Sequence, residues 1–239
     1  MRKAISLIIS AVLILSLFSG CSAKSNAPLA GAVFADGTGK ADFTIGNTIT
    51  IGKYEQDNNT SNGAESIEWI VVENTGNKAL LLSKSVLEYI PFDSTSKDRA
   101  YKDTTLRAWL IGDFYNNAFT DDEKSSIIES NIVAFGNSYE KVGDTNKVFI
   151  LSYYEYAAIL AKNIDLIPTF SEYVKAKKSK SPNLVWLRDL KTGRDGEGRC
   201  FYSVSDELSF EDPNINDYAL CASPNSSQCV RPAMWVSLE

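Results

Sequence analysis

The periodicity of the apolar segments changes twice along this chain, and that order restricts the fold class. Residues 47–54, 67–73 and 78–84 have the alternation and β-branched content of strands, and residues 74–77 between the last two predict a hairpin turn. Helical patterns occupy much of 103–162. Further short strands are predicted at 147–152, 184–189, 199–204, 217–221 and 229–236. Strands, then helices, then strands predict an α+β domain and not an alternating β/α one.

Two capping boxes mark helix starts in the middle of the chain. Thr120 precedes Glu123 by three residues, and Ser152 precedes Glu155 by the same spacing. The stretch 103–119 predicts another helix, whose apolar face consists of Leu106, Trp109, Leu110 and Phe114.

The first 20 residues have the parts of a secretory signal. Arg2 and Lys3 are followed by an apolar run from Ala4 to Phe18. As a helix this run covers roughly 23 Å, which is shorter than the ~30 Å hydrocarbon core of a bilayer. We therefore interpret residues 1–20 as a cleaved signal rather than a permanent membrane span.

The residues at the end of this signal and just after it, Phe18-Ser19-Gly20-Cys21, resemble a bacterial lipobox with Phe18 in place of the usual leucine. The resemblance implies that Cys21 becomes a lipid-modified N-terminus that anchors an extracytoplasmic protein to the membrane. The alternative is an ordinary signal peptide with a chance cysteine. Residues 21–45 are predicted to form a flexible tether with a reach of roughly 25–30 Å. The folded domain would then span 46–239.

Charge and composition exclude several classes of function. The chain carries a net charge of −6, which disfavours nucleic-acid binding. The basic cluster at 175–180 is typical of a solvated helix end, with contact to anionic polymers or lipid head groups as the alternative. No histidine occurs anywhere, which removes Ser-His-Asp catalysis and histidine-ligated zinc.

Three cysteines remain besides Cys21, namely Cys200, Cys221 and Cys229. The segment between Cys221 and Cys229 has turn-forming residues at its centre, so we predict a hairpin with a disulfide between these two. Three reduced, buried thiols are the alternative.

Several segments together resemble an uncharacterised family of bacterial surface domains, known as a domain of unknown function. They are "IEWIVVENTGNKALLLSK", "TTLRAWLIGDFYNNAFTDDEKSSI", "KVFILSYYEY", "WLRD" and "VRPAMWV". That family is similar to the C-type-lectin-like fold of formylglycine-generating enzymes. The resemblance implies antiparallel strands, two to three helices, long irregular loops and pairing of the terminal strands. It implies no particular activity.

The most distinctive candidate site residues are Trp186, Arg188, Asp189, Arg231 and Trp235. In one interpretation the two arginines face a cleft and bind a carboxylate or sugar acid. In the other, which we favour, each arginine stacks on a tryptophan and pairs with Asp189 to hold the last strand.

A calcium site is a second candidate, because one loop collects hard oxygen ligands: Glu211, Asp212, Asn214 and Asp217. A solvated loop is the alternative, and no other cofactor is predicted. Residues 55–66 are interpreted as a polar connection, because Asn62 stands where a calcium-binding loop needs glycine.

These observations favour a lipid-anchored extracytoplasmic binding domain for a glycan, peptide or protein, without nucleic-acid partners. The alternative is an envelope enzyme that uses loop carboxylates or the Cys221/Cys229 pair.

Overall fold

The computed structural model describes residues 33–34, 41–95, 100–135, 141–178, 184–191, 200–205 and 219–239. Among these residues no helix has the length and apolar character needed to cross a membrane.

The strands are short, and most of them fall in two groups along the chain, one before residue 92 and one after residue 183, while the others lie among the helices. In chain order the strands are Val33–Phe34 (β1), Thr48–Tyr54 (β2), Glu65–Asn74 (β3), Lys78–Ser83 (β4), Ser85–Val86 (β5), Glu88–Pro91 (β6), Ile127–Ile128 (β7), Ser130–Phe135 (β8), Lys141–Asn146 (β9), Thr169–Phe170 (β10), Leu184–Lys191 (β11), Cys200–Ser205 (β12), Ala219–Ala222 (β13), Ser227–Val230 (β14) and Ala233–Ser237 (β15).

The helices lie mainly between these two groups of strands. They are Thr105–Trp109 (α1), a π-helical turn Leu110–Phe114, Tyr115–Ala118 (α2), Asp121–Ser126 (α3), Tyr153–Leu160 (α4) and Glu172–Lys177 (α5), with a 3₁₀ turn at Tyr101–Asp103.

Two sheets form the frame of the domain. The first has the order β1-β2-β3-β4-β15-β7 and the second β13-β12-β11-β14-β6. Every pairing in them is antiparallel except the one between β11 and β14. The predicted α+β class is therefore confirmed.

The last predicted strand, 229–236, is in fact two strands that belong to different sheets. β14 ends at Val230 and β15 begins at Ala233, so the chain changes sheets at Arg231-Pro232. Proline has no N–H to give to a ladder, which suits a point where one ladder stops. Its carbonyl accepts the Ser83 N–H at 2.9 Å.

The pairing implied for the terminal strands is wrong in detail. β15 lies between β4 and β7, while β2 pairs with β3 and β1. The first long strand and the last strand therefore share a sheet without contacting each other through a ladder.

The turn, the capping boxes and the buried helix face that short sequence patterns predicted are present in the structure. Gly76 has φ of 93° in the turn between β3 and β4, where the Thr75 N–H donates to the Lys78 carbonyl at 3.0 Å. Both capping boxes are present, at the starts of α3 and α4. The face predicted for 103–119 is buried at Leu106, Leu110 and Phe114.

Two features of the middle of the chain were not predicted. β8 and β9 form a hairpin of their own, with a register from Ser130 and Asn146 to Phe135 and Lys141. Residues 147–152 are largely buried as expected, but they form one isolated bridge, between Phe149 and Ala233, in place of a strand.

The core of the described residues fills the space among the sheets and helices. Its largest fully buried side chains include Trp69, Phe92, Phe114, Phe149 and Trp186. Phe92 and Trp186 pack edge to face with their ring centroids 5.2 Å apart. Edge-to-face pairs of this kind contribute about 0.5–1.5 kcal/mol beyond the area that they bury.

The predicted tether contacts the domain. Val33 pairs with Thr50 and Phe34 with Ile49, so β1 extends the edge of the first sheet. Phe43 packs against the core. The folded part of the described residues therefore includes residues before 46.

We expect Gly52→Ala to destabilise the protein by about 2 kcal/mol, because Gly52 has φ of 70° and its position is crowded. A Cβ there would lie 2.7 Å from the Phe119 ring and 2.8 Å from the Ala118 carbonyl oxygen. The matched control is Gly76→Ala, at φ of 93° with open space around it, which should lose about 1 kcal/mol. Urea unfolding measures both, and equal losses would contradict the crowding.

Candidate functional site

Arg188 lies on β11 and is 2% exposed. Its Nε donates to the Val133 carbonyl and its Nη1 to the Ile150 carbonyl, both at 2.8 Å. Nη1 and Nη2 each reach one carboxylate oxygen of Glu155 at 2.5 Å. This bidentate geometry is the strongest form of an arginine–carboxylate pair.

The groups around the Arg188–Glu155 pair show that it joins the start of α4 to β11. Glu155 belongs to the capping box at the start of α4, where it also accepts the Ser152 N–H at 2.9 Å. Asp189 accepts the Tyr153 N–H at 2.7 Å. The Arg188-Asp189 dipeptide therefore fixes the N-terminus of α4 against β11. The architectural interpretation of Arg188 is supported, but its carboxylate partner is Glu155 and its nearby ring is that of Phe149, 5.7 Å from the guanidinium carbon.

Arg231 lies at the crossing between the two sheets and is 3% exposed. Its Nε donates to the Ser83 carbonyl and its Nη1 to the Leu166 carbonyl, both at 2.6 Å. Its Nη2 has no acceptor in the described part of the chain. Burial lowers the pKa of Arg231 to about 10, opposed by the nearby Tyr156 and Asp165. Arg231 therefore connects the sheet crossing to the segment after α4.

The two tryptophans lie on different sheets. Trp186 is buried on β11, and its Nε1 donates to the Ile90 carbonyl at 3.0 Å. Trp235 is partly exposed on β15, with the Lys78 ammonium 4.4 Å above its ring. Arg188 and Arg231 hold opposite ends of the segment from Ile150 to Leu166. These contacts bind the arginines to backbone carbonyls and do not support a shared cleft lined by both.

Several other predicted sites cannot be located. Cys21 and the proposed calcium ligands Glu211, Asp212, Asn214 and Asp217 lie outside the described residues. Elsewhere the carboxylates of Glu55, Asp57 and Glu65 lie within 4.8 Å of one another, in the loop interpreted as a polar connection. Glu65 already accepts the N–H groups of Gln56 and Asp57, at 2.7 and 3.2 Å, which accounts for its place in the loop.

The predicted hairpin between Cys221 and Cys229 is wrong. Cys221 lies on β13 and Cys229 on β14, and β12 and β11 stand between these strands. Three strand spacings amount to roughly 14 Å, whereas disulfide-bonded Cα atoms lie about 4–7 Å apart. The strand order therefore argues against the predicted disulfide, and it also separates the pair that an envelope enzyme would have used.

A second group of polar side chains, which was not predicted from the sequence, surrounds a buried carboxylate. Glu88, on β6, is 4% exposed. Its Oε2 accepts the Tyr54 hydroxyl at 2.9 Å and the Tyr173 hydroxyl at 3.3 Å. The Lys177 ammonium donates to its Oε1 at 2.8 Å and to its Oε2 at 3.0 Å. The Tyr89 N–H donates to Oε1 at 2.8 Å. We call Tyr54, Glu88, Tyr173 and Lys177 the Glu88 cluster.

Aromatic rings surround this cluster. Tyr54 contacts Tyr173 at 6.1 Å, Trp109 at 6.2 Å and Phe114 at 5.4 Å between ring centroids. Tyr54, Tyr173 and Trp109 are all partly exposed. Lys177 also lies 4.0 Å from the centroid of the Tyr173 ring. The Glu88 cluster is therefore a carboxylate at the base of a partly exposed aromatic surface.

Tyr54 and Lys177 keep their protons at neutral pH. Burial and the adjacent Glu88 raise the pKa of Tyr54 far above its ordinary value, so Tyr54 stays a hydrogen-bond donor. Burial opposes the charge of Lys177, but hydrogen bonds with Glu88 and Tyr173 outweigh it and raise its pKa. Lys177 therefore remains an ammonium opposite the Glu88 carboxylate.

The raised pKa of Lys177 predicts a stability that disappears in alkali. A base with a higher pKa in the folded state contributes stability below its unfolded pKa, about 10.4, and loses it as pH rises through the folded value. Wild type should therefore exceed Lys177→Met in urea-unfolding stability by a constant margin from neutral pH to about pH 9, and the margin should shrink once the pH passes the ordinary pKa of lysine. A margin that persists undiminished in strong alkali would contradict this assignment.

No local sequence pattern predicts this cluster, because its members are far apart along the chain. Glu88 is 34 residues from Tyr54, 85 from Tyr173 and 89 from Lys177. Lys177 belongs to the basic run that was interpreted as a solvated helix end. The only available signal was a lone glutamate in a segment that the structure shows to be strand β6.

The fold and this cluster define a mainly antiparallel α+β domain with a carboxylate-based aromatic surface. The chain belongs to the family described as Domain of unknown function (DUF6273), whose sequence profile matches residues 76–238. No curated protein and no solved structure was found to match the chain.

Proposed function

We propose that this chain is a lipid-anchored, extracytoplasmic recognition domain that binds a glycan, peptide or protein ligand. The observation that carries the proposal is the partly exposed ring group of Tyr54, Trp109 and Tyr173 around the buried Glu88. Aromatic rings beside a few fixed polar groups are typical of binding sites, because they combine apolar contact with orientation.

The protonation states of the cluster favour binding over catalysis. A general acid or base is most effective when its pKa lies near the working pH. The pKa values of Tyr54 and Lys177 are instead raised, away from neutrality. Tyr54 and Lys177 thus keep their protons at neutral pH and act as hydrogen-bond donors, which serves recognition better than proton transfer.

The location rests on the N-terminal sequence. Residues 1–20 have the pattern of a secretory signal, and Cys21 follows a lipobox-like Phe18-Ser19-Gly20. A bacterial surface or periplasmic position and a C-type-lectin-like architecture belong to the same proposal. The confirmed α+β class and the antiparallel sheets are compatible with that architecture.

The anchor is tested by labelling cells that express the chain with an alkyne-tagged fatty acid. We expect label on wild type, recovery in the membrane fraction, and loss of both in Cys21→Ser. A single acyl chain binds membranes only marginally, so two or more chains are needed for full retention. Recovery of the unlabelled wild-type chain with Met1 still attached would contradict the anchor.

The recognition role is tested by applying the full chain, in nonionic detergent, to glycan and peptide arrays beside Trp109→Ala. Trp109 is a partly exposed ring of the proposed surface. Ligands captured by wild type should lose about tenfold in affinity with Trp109→Ala, since a contact aromatic contributes at least about 1.4 kcal/mol. Equal capture by both proteins would place recognition elsewhere.

A further inference from the structure

The Lys177 ammonium contacts the Glu88 cluster in the way that the amine of a bound ligand would. Its ammonium touches both oxygens of Glu88, donates to the Tyr173 hydroxyl and lies over the Tyr173 ring. A buried carboxylate is costly unless a cation compensates it. Glu88 therefore needs a positive group at this place, and the chain's own lysine supplies one.

Lys177 is the solvent-exposed partner of the pair with Glu88. It is the last residue of α5, a helix of six residues, and its side chain is 39% exposed whereas that of Glu88 is 5% exposed. The backbone of α5 is held independently of it, since Val174 is buried and the Tyr173 N–H donates to the Gln56 carbonyl at 3.1 Å. A rotation of the Lys177 side chain into solvent can therefore free the place without unfolding the helix.

The surroundings select an organic ammonium over a metal ion. Ca²⁺ takes six to eight oxygen ligands, whereas Glu88 and the two tyrosines offer two carboxylate oxygens and two phenols. Tyrosine faces attract ammonium groups through their ring quadrupole, and two hydroxyls and a carboxylate orient the N–H donors.

We propose that Glu88, Tyr54 and Tyr173 form a subsite for an alkylammonium group of the ligand, and that Lys177 fills this subsite when no ligand is bound. This inference rests on the proposed recognition function and names the chemistry of its ligand. The ligand's amine replaces one ammonium by another, so the exchange at the subsite is nearly balanced. Affinity then comes from the rest of the ligand on the aromatic surface.

The test is chemical rescue of the full chain in nonionic detergent, followed by thermal unfolding. Lys177→Ala leaves Glu88 uncompensated and should lower the melting temperature by roughly 5 °C. Millimolar n-butylammonium chloride should restore more than half of that loss, while sodium chloride at the same concentration should not. The matched control is Lys175→Ala on the same helix, which removes only an exposed pair with Glu172 and should show neither loss nor rescue.

Two further comparisons make the outcome decisive. Wild type should bind butylammonium at least about tenfold more weakly than Lys177→Ala, because its own lysine competes. The double variant Glu88→Gln/Lys177→Ala should not respond. Equal shifts in all variants, or no rescue of Lys177→Ala, would overturn the subsite.

The source of the amine is distinguished by two probes applied to Lys177→Ala. Rescue by Nα-acetyl-lysine amide alone assigns the subsite to polypeptide amines, and rescue by glucosamine alone assigns it to amino sugars. If neither of these two probes nor butylammonium restores the melting temperature, the proposal is overturned. Because purified protein is used, this result is independent of the anchoring at Cys21, whose failure would leave the subsite intact.

Discussion

Replacement of Arg231 by alanine should reduce the free energy of unfolding by about 4 kcal/mol, measured by urea unfolding. The substitution removes the donors to the Ser83 and Leu166 carbonyls and leaves a cavity where the buried side chain packed. An unpaired buried carbonyl costs about 1–3 kcal/mol, and a large-to-small change in a core costs about 2–5 kcal/mol. Burial of the charge works in the opposite direction.

The buried charge of Arg231 is itself costly, so a variant that keeps the volume of the side chain but removes the charge should lose less stability than Arg231→Ala. Its pKa is lowered to about 10, which corresponds to a penalty on the order of 3 kcal/mol for holding the charged form. Arg231→Met refills the space, removes the charge and still leaves both carbonyls unpaired, so it should lose only about 1–2 kcal/mol. An Arg231→Ala protein that unfolds like wild type but loses ligand binding would contradict the architectural role.

The second large effect is expected from Glu155→Gln, which should lose about 3 kcal/mol. The amide keeps the shape of the side chain but cannot neutralise Arg188, which stays buried with only carbonyl acceptors. The effect is smaller than for a fully buried pair because the Glu155 side chain is 37% exposed.

The chain supplies a matched control for this substitution. Glu123 occupies the same position in the other capping box, and its carboxylate accepts the Thr120 and Gly52 N–H groups at 2.8 Å. Glu123→Gln should therefore lose only about 0.5–1 kcal/mol. In a double-mutant cycle, Arg188→Met with Glu155→Gln should show a coupling of about 2 kcal/mol. A loss for Glu155→Gln no larger than that of the control would contradict the ion-pair assignment.

These variants share one physical basis. Arg188 fixes the start of the segment 150–166 and Arg231 its end. Arginine serves this purpose because its planar fork donates to several carbonyls at fixed angles. The most distinctive residues of the chain therefore build the fold, and the proposed recognition chemistry lies around Glu88.

The parts of the fold that the sequence predicted are those determined by short-range physics. The capping boxes at Thr120 and Ser152 involve residues three apart, and the turn at Gly76 is set by a positive φ that glycine adopts easily. Each such signal is complete within a few residues, so no knowledge of the rest of the chain was needed.

The parts that were missed depend on contacts between distant segments. The strand pattern of 229–236 is continuous in sequence, and only the partners β11, β6 and β4 decide that it divides at Arg231-Pro232. The turn residues between Cys221 and Cys229 suggested that the two are hairpin neighbours. Turn residues do not determine strand order, however, and the order of the second sheet separates the two cysteines.

The candidate site was missed for the same reason. Arg188 was predicted to be structural, yet Glu155, 33 residues away, could not be named as its partner. The side-chain partners of Glu88 come from β2 and α5, both distant from β6 in the sequence, and a lysine at a helix end is usually solvated.

We propose that recognition chemistry is centred on Glu88 and not on the arginine motifs. A crystal structure of Lys177→Ala grown with n-butylammonium tests it most directly. We expect the amine nitrogen within hydrogen-bond distance of both Glu88 carboxylate oxygens and over the Tyr173 ring. A Glu88 side chain turned into solvent, with the amine absent or bound at Arg188 or Arg231, would contradict the claim.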